Sequence, residues 1–154
     1  FDPIPQPPHP PVPPFLTPTA AYALFYNNSA TGATYAAGEN IAYQSTLYNT
    51  ATADIVNNNG LITLSGGTTG KAYLVNYQVT GETANDATLA LAINGTVDSN
   101  SEIIPNSATG TSNGSYIVNV PANSTSTVAL RVVSGTVTTA SPTVGSYFSV
   151  IRIA

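Results

Sequence analysis

The stretch AYLVNYQVT, residues 72–80, sets Tyr73, Val75, Tyr77 and Val79 on one side of the chain and Asn76, Gln78 and Thr80 on the other. Period-two alternation is the signature of a strand with one buried face, and no segment competes with it by repeating apolar residues at helical spacing. Shorter alternating segments lie on both sides of it. Tyr22, Leu24 and Tyr26 alternate in AYALFYN and stop at Asn27-Asn28, Ile41, Tyr43 and Leu47 are expected to share one face of IAYQSTLYN (41–49), and LITL (61–64) runs into a Gly66-Gly67 turn. Leu89, Leu91 and Ile93 alternate with alanines; SYIVNV (115–120), TVALRVV (127–133), TVTT (136–139) and SYFSVIRI (146–153) complete a set of about ten strands. Asn94-Gly95 is the strongest hairpin signal, because a type I′ turn needs positive φ at both central positions. Many short strands punctuated in this way predict an all-β, antiparallel sandwich or jelly roll.

Two segments depart from one-sided alternation. Residues 147–153 carry Tyr147, Ile151 and Ile153 on one face and Phe148 and Val150 on the other, and residues 22–26, with Tyr22 and Phe25, are apolar on both faces. A strand apolar on both sides is covered on both sides. One cover is the sandwich core, and a second subunit is the economical choice for the other. Tyr22, Phe25, Tyr147, Phe148, Val150, Ile151 and Ile153 are therefore the expected residues of a subunit interface.

The prolines divide the chain. Nine of the twelve fall within the first eighteen residues, FDPIPQPPHPPVPPFLTP. Proline fixes φ and has no N–H to donate, so this segment is neither helix nor central strand. It should be an extended polyproline rod of roughly 55 Å, with Phe1, Ile4, Val12, Phe15 and Leu16 available as apolar anchors. The expected organisation is a leader over residues 1–18 and a β domain over residues 19–154.

Composition excludes several kinds of chemistry. Only 6% of the 154 residues are charged and the net charge is −4, which leaves no basic footprint for nucleic acid. No apolar run is long enough to insert across a bilayer. Without cysteine there is no disulfide or thiolate chemistry. With neither Cys, Met nor Trp, few side chains oxidise readily, which suits an extracellular surface. The lack of Met at position 1 leads us to expect a processed chain or residues upstream. The single histidine, His9, lies between two prolines of the leader and has no second histidine to work with, so neither a catalytic triad nor a conventional zinc site can be assembled. The seven acidic residues include no closely spaced pair in an aromatic segment. Glu82, Asp86 and Asp98 fall in Gly- and Asn-rich stretches read as loops, yet match no calcium-loop pattern. No catalytic residue, cofactor site or metal site is expected, and the protein is not expected to be an enzyme.

The segment from Tyr22 to Ile153 resembles the C-terminal domain of the BclA-like collagen-related glycoproteins that coat bacterial spores. The likeness lies in AYALFYNN, LSGG (64–67), AYLVNYQV, LALAINGT (89–96), YIVNVPANSTSTVALRVVSG (116–135) and YFSVIRI. Phe1-Asp2-Pro3 and PPVPPFLTPT (10–19) are similar to the exosporium-targeting leader of the same family. The resemblance implies a C1q/TNF-like jelly roll, a homotrimer, and a structural or adhesive place on the exosporium. Members usually carry a Gly-X-Y stalk between leader and head, but here no glycine occurs before Gly32. A rod joined directly to a trimeric head suits a fibre subunit of a spore appendage, each leader docking into the next trimer. The alternative is a trimeric adhesion head, anchored by its leader to an exosporium protein and facing a host or matrix surface.

Overall fold

The computed structural model describes residues 2–5, 7–8, 21–29, 32–105, 111–139 and 146–154, with the backbone alone for 82–86. Ten strands lie among them: β1 Tyr22–Tyr26, β2 Thr34–Ala36, β3 Ser45–Asn49, β4 Ile55–Asn58, β5 Leu61–Ser65, β6 Lys71–Ile93, β7 Thr96–Val97, β8 Thr111–Val120, β9 Thr125–Thr139 and β10 Tyr147–Arg152. All pairings are antiparallel. The first sheet runs β3-β1-β10-β6-β8, and the second packs β4-β5-β9 against the later part of β6, with β2 on β9 and β7 on β6.

β6 belongs to both sheets. Its first ten residues, Lys71 to Thr80, pair with β8, and from Gly81 onward it pairs with β9, with register shifts between Gly81 and Thr83, Asn85 and Thr88, and Thr88 and Leu89. Such irregularities sharpen the local twist and let one strand leave a sheet for the other. The two segments expected at 72–80 and 89–93 are thus one strand, and the loop reading of Glu82 and Asp86 is corrected: both lie within β6, at the points where its register with β9 shifts. Likewise 127–133 and 136–139 merge into β9.

The core is filled by the alternation read from sequence. Tyr73, Val75, Tyr77 and Val79 are buried, together with Ile62, Leu64, Leu89, Leu91, Leu130 and Val132 from the second sheet. The large rings are accommodated because their hydroxyls reach backbone carbonyls. Tyr43 donates to Gln78 O at 3.0 Å, Tyr73 to Ser65 O at 2.6 Å and Tyr77 to Ser101 O at 2.7 Å, so no polar tip is left unsatisfied. Burial pushes the Tyr43 hydroxyl far above its ordinary value, and raises Tyr73 to about 12 with the Asp54 charge as the second cause.

The segment 41–49 is not one strand. The Ile41 N–H donates to Leu130 O of β9, whereas Ser45–Asn49 pairs with β1. The chain changes sheets between these points, so Ile41 and Tyr43 are buried while Leu47 is exposed. At Asn94 and Gly95 φ is 51° and 82°, and Ile93 stands opposite Thr96. The expected hairpin is present.

Candidate functional site

The outer face of the first sheet is the candidate site. Its residues stand in rows fixed by strand register. One row reads Tyr22, Ile151, Leu74, Ile117 across β1, β10, β6 and β8. The next reads Leu24, Ser149, Asn76, Ser115, and the third Tyr26, Tyr147, Gln78, Asn113. The first row is apolar throughout. Tyr22 is 42% exposed and Ile117 52%; Tyr48 of β3 extends the patch by meeting the Tyr22 ring edge-on at 5.4 Å, and Ile153 lies just beyond it, exposed.

The second and third rows are mostly polar and line an open depression of about 480 Å³, bounded by Leu24, Tyr77, Gly114 and Tyr147 together with Asn76, Gln78, Asn113, Ser115 and Ser149. Gly114 stands opposite Tyr77 in the ladder. A Cβ there would lie 2.6 Å from the Tyr77 ring, so only glycine lets that ring pass under β8 to reach Ser101.

Of the seven expected interface residues, the structure separates two sets. Tyr22, Tyr147, Ile151 and Ile153 are exposed on this face. Phe25, Phe148 and Val150 are buried inside the sandwich of a single chain, where Phe148 meets Tyr43 at 5.6 Å and Tyr77 at 6.4 Å; they are corrected from interface to core. In the two-sided strands alternate residues face opposite ways, one set into the core and the other onto the exposed face. Sequence reasoning missed Leu74 and Ile117, which stand on their strands beside the polar outward residues Asn76, Gln78, Asn113 and Ser115, and Tyr48 of β3. Among the leader anchors, Ile4 is 92% exposed, and Phe1, Val12, Phe15 and Leu16 lie outside the described residues, as does the boundary near Thr19.

Among the acidic side chains, Glu39, Asp54 and Asp98 have structural partners. Asp54 accepts from Lys71 at 2.7 Å and Arg152 at 3.2 Å. Asp98 accepts from the Tyr116 hydroxyl and from the Asn100 N–H, which together hold its carboxyl below the usual range and raise Tyr116. Asp98 also caps the short 3-10 turn Ser99–Ser101. Among the described residues no three His, Cys, Asp or Glu converge on a metal position.

The fold is an all-β jelly-roll sandwich of the C1q/TNF-like type. No protein-family model matches the sequence, and no curated protein matches it either; solved structures carry the comparison. The Eiger TNF of S. frugiperda superposes with a TM-score of 0.61 at 12% identity, over 87% of this chain and 92% of that one. The globular domain of zebrafish complement 1qA protein gives 0.57 at 12% identity, over 87% and 98%. Murine APRIL gives 0.63 at 7% identity, over 86% and 99%. At these identities the likeness is one of fold.

Proposed function

We propose that the chain is a structural subunit of a spore-surface fibre, in which three copies associate through the apolar row on the outer face of the first sheet and each Pro-rich leader docks onto a neighbouring trimer. The observation that carries this reading is the apolar row Tyr22, Ile151, Leu74 and Ile117, an exposed stripe on a sheet whose inner face already fills a complete core. Contiguous apolar surface of this kind marks association. The C1q/TNF-like fold supports a head domain, and the likeness of both leader and head to the BclA-like proteins supports threefold symmetry and a spore location. A docking contact between unlike surfaces is heterologous, so it propagates instead of closing. The rod's preset φ angles lower the ordering cost of that contact.

The test is deletion of residues 1–18 from the full chain, followed by negative-stain microscopy and light scattering. Soluble trimers without fibres are expected. Fibres that persist after the deletion overturn the docking role, and discrete trimers formed by the intact chain that bind a host or matrix surface would favour the adhesion head instead.

A further inference from the structure

The geometry points to the polar depression on rows two and three as the acceptor for the Pro-rich leader of a neighbouring copy. This inference rests on the docking role proposed above and names its site. Four observations converge on it.

The first is hydrogen-bonding chemistry. Half of the leader is proline, nine of eighteen residues, so its backbone presents carbonyl acceptors with few N–H donors. An acceptor-rich rod needs a donor-rich surface. The depression supplies carboxamides at Asn76, Gln78 and Asn113 and hydroxyls at Ser115, Ser149 and Tyr147. Among the described residues, the side chains of Gln78, Asn113 and Ser115 make no hydrogen bond, and that of Asn76 makes only a long one, 3.4 Å, to Ser149. Aromatic and apolar walls from Tyr147 and Leu24 flank these donors, the combination by which proline-rich segments are gripped.

The second is charge. The lining contains no ionisable acid or base apart from tyrosine, and the leader contains only Asp2 and His9. The lining therefore brings no ion to desolvate, and the leader from Pro10 to Pro18 brings none either. The third is size: about 480 Å³ lies within the range of pockets that enclose a compact ligand, enough for a few consecutive residues of a rod and not for a folded domain.

The fourth is polarity of the head. The leader enters the fold at Ala21, beside the apolar row that contains Tyr22, whereas the depression begins one row further and ends at Tyr26 and Tyr147. β1 spans roughly 13 Å between the first and third rows at about 3.3 Å per residue. The point where the leader joins the fold and the depression thus lie on different rows of one face, which a repeating head-to-tail contact between copies can use. The leader residues described, Asp2 to Pro5, Pro7 and Pro8, are exposed.

The absence of native cysteine gives a clean test in the full-length protein. Single-cysteine variants Ser115→Cys (depression), Ile4→Cys and Leu16→Cys (leader) and Thr127→Cys (outer face of the second sheet, as control) are mixed pairwise and mildly oxidised. An interchain disulfide between Ser115→Cys and at least one leader cysteine, tenfold or more above the Thr127→Cys control, is the expected result. Fibres that form while the leader cysteines link to Thr127→Cys, or to neither position, overturn this site and leave leader docking standing. A disulfide that forms only when both cysteines are on one chain also overturns it, because the depression then holds its own leader. Failure of the intact chain to form fibres or any interchain link overturns both. In parallel, Ser115→Trp fills the depression from an exposed position; loss of fibres with trimers and circular dichroism unchanged is expected, and normal fibres count against the site.

Discussion

The two sheets present opposite kinds of outer surface from the same alternating pattern. On the second sheet the outward row reads Val56, Thr63, Thr127, and Thr34 stands opposite Thr138, whereas the outward-register alanines Ala90, Ala92 and Ala129 are themselves buried. Threonine suffices there: it keeps β propensity without offering much apolar area to a partner. On the first sheet the same positions carry Tyr22, Tyr48, Ile151 and Ile117. Both sheets bury their inner faces completely, so core formation explains neither choice. The difference teaches that the two faces are told apart by the residues facing away from the core, usually read as solvent positions, and it is on those that the proposed association rests.

The sharpest way to break the comparison lies within β10, where neighbours point to opposite faces. Phe148→Ala removes a fully buried ring packed on Tyr43 and Tyr77 and should cost about 3–5 kcal/mol in denaturant unfolding. Next in size, Ile151→Asp places a carboxylate in the apolar row. It should reduce trimers to monomers by light scattering while the circular dichroism spectrum stays that of the folded chain. Thr127→Asp on the second sheet should change neither association nor stability by more than about 0.5 kcal/mol; if it dissociates the assembly as Ile151→Asp does, the asymmetry of the faces is not the cause. Gly114→Ala forces the Tyr77 ring aside and should destabilise by about 1–3 kcal/mol, measured by thermal unfolding.

Titration gives smaller effects of defined sign. Asp98 has a lowered folded-state pKa, owing first to the Tyr116 hydroxyl and then to the Asn100 N–H. Its contribution is complete above the ordinary carboxylate range and is lost as pH falls through the lowered value. Tyr116→Phe should remove this part of the acid limb. Tyr73 acts in the other direction: raised to about 12, it contributes fully below the ordinary tyrosine value and loses that contribution as pH rises through about 12. Melting temperature against pH should accordingly show a plateau that falls at both ends. Smallest of all is the response of assembly to sodium chloride. Contacts made by tyrosine, isoleucine and carboxamides are little screened, so trimers and fibres should persist across moderate salt; dissolution there would show that ions hold the faces together.

Much of the fold was legible because alternation reports burial directly. The inward set Tyr73, Val75, Tyr77 and Val79 is as the sequence predicts, and so is the Asn94-Gly95 turn. Ile41 and Tyr43 misled because a buried segment that crosses between sheets shows the same apolar spacing as a strand. Residues 81–88 misled in the opposite sense: Gly, Thr, Asn and Asp are turn formers by propensity, yet pairing with β9 holds them extended. The candidate face was half legible. Two-sidedness marked β1 and β10, but Phe25, Phe148 and Val150 cannot be told from Tyr147 and Ile151 until register says which parity faces inward. The polar depression left no signal in any one segment, since its donors come from β6, β8 and β10 and meet only through the ladders.

The position of β1 has a mechanical consequence. The leader continues directly into this strand, and β1 is bonded on both edges, to β3 and to β10. A pull along the axis of β1 shears two ladders at once rather than peeling hydrogen bonds apart in sequence. Tension applied along β1 is thereby shared between its ladders to β3 and β10, and the head resists stretching along that strand.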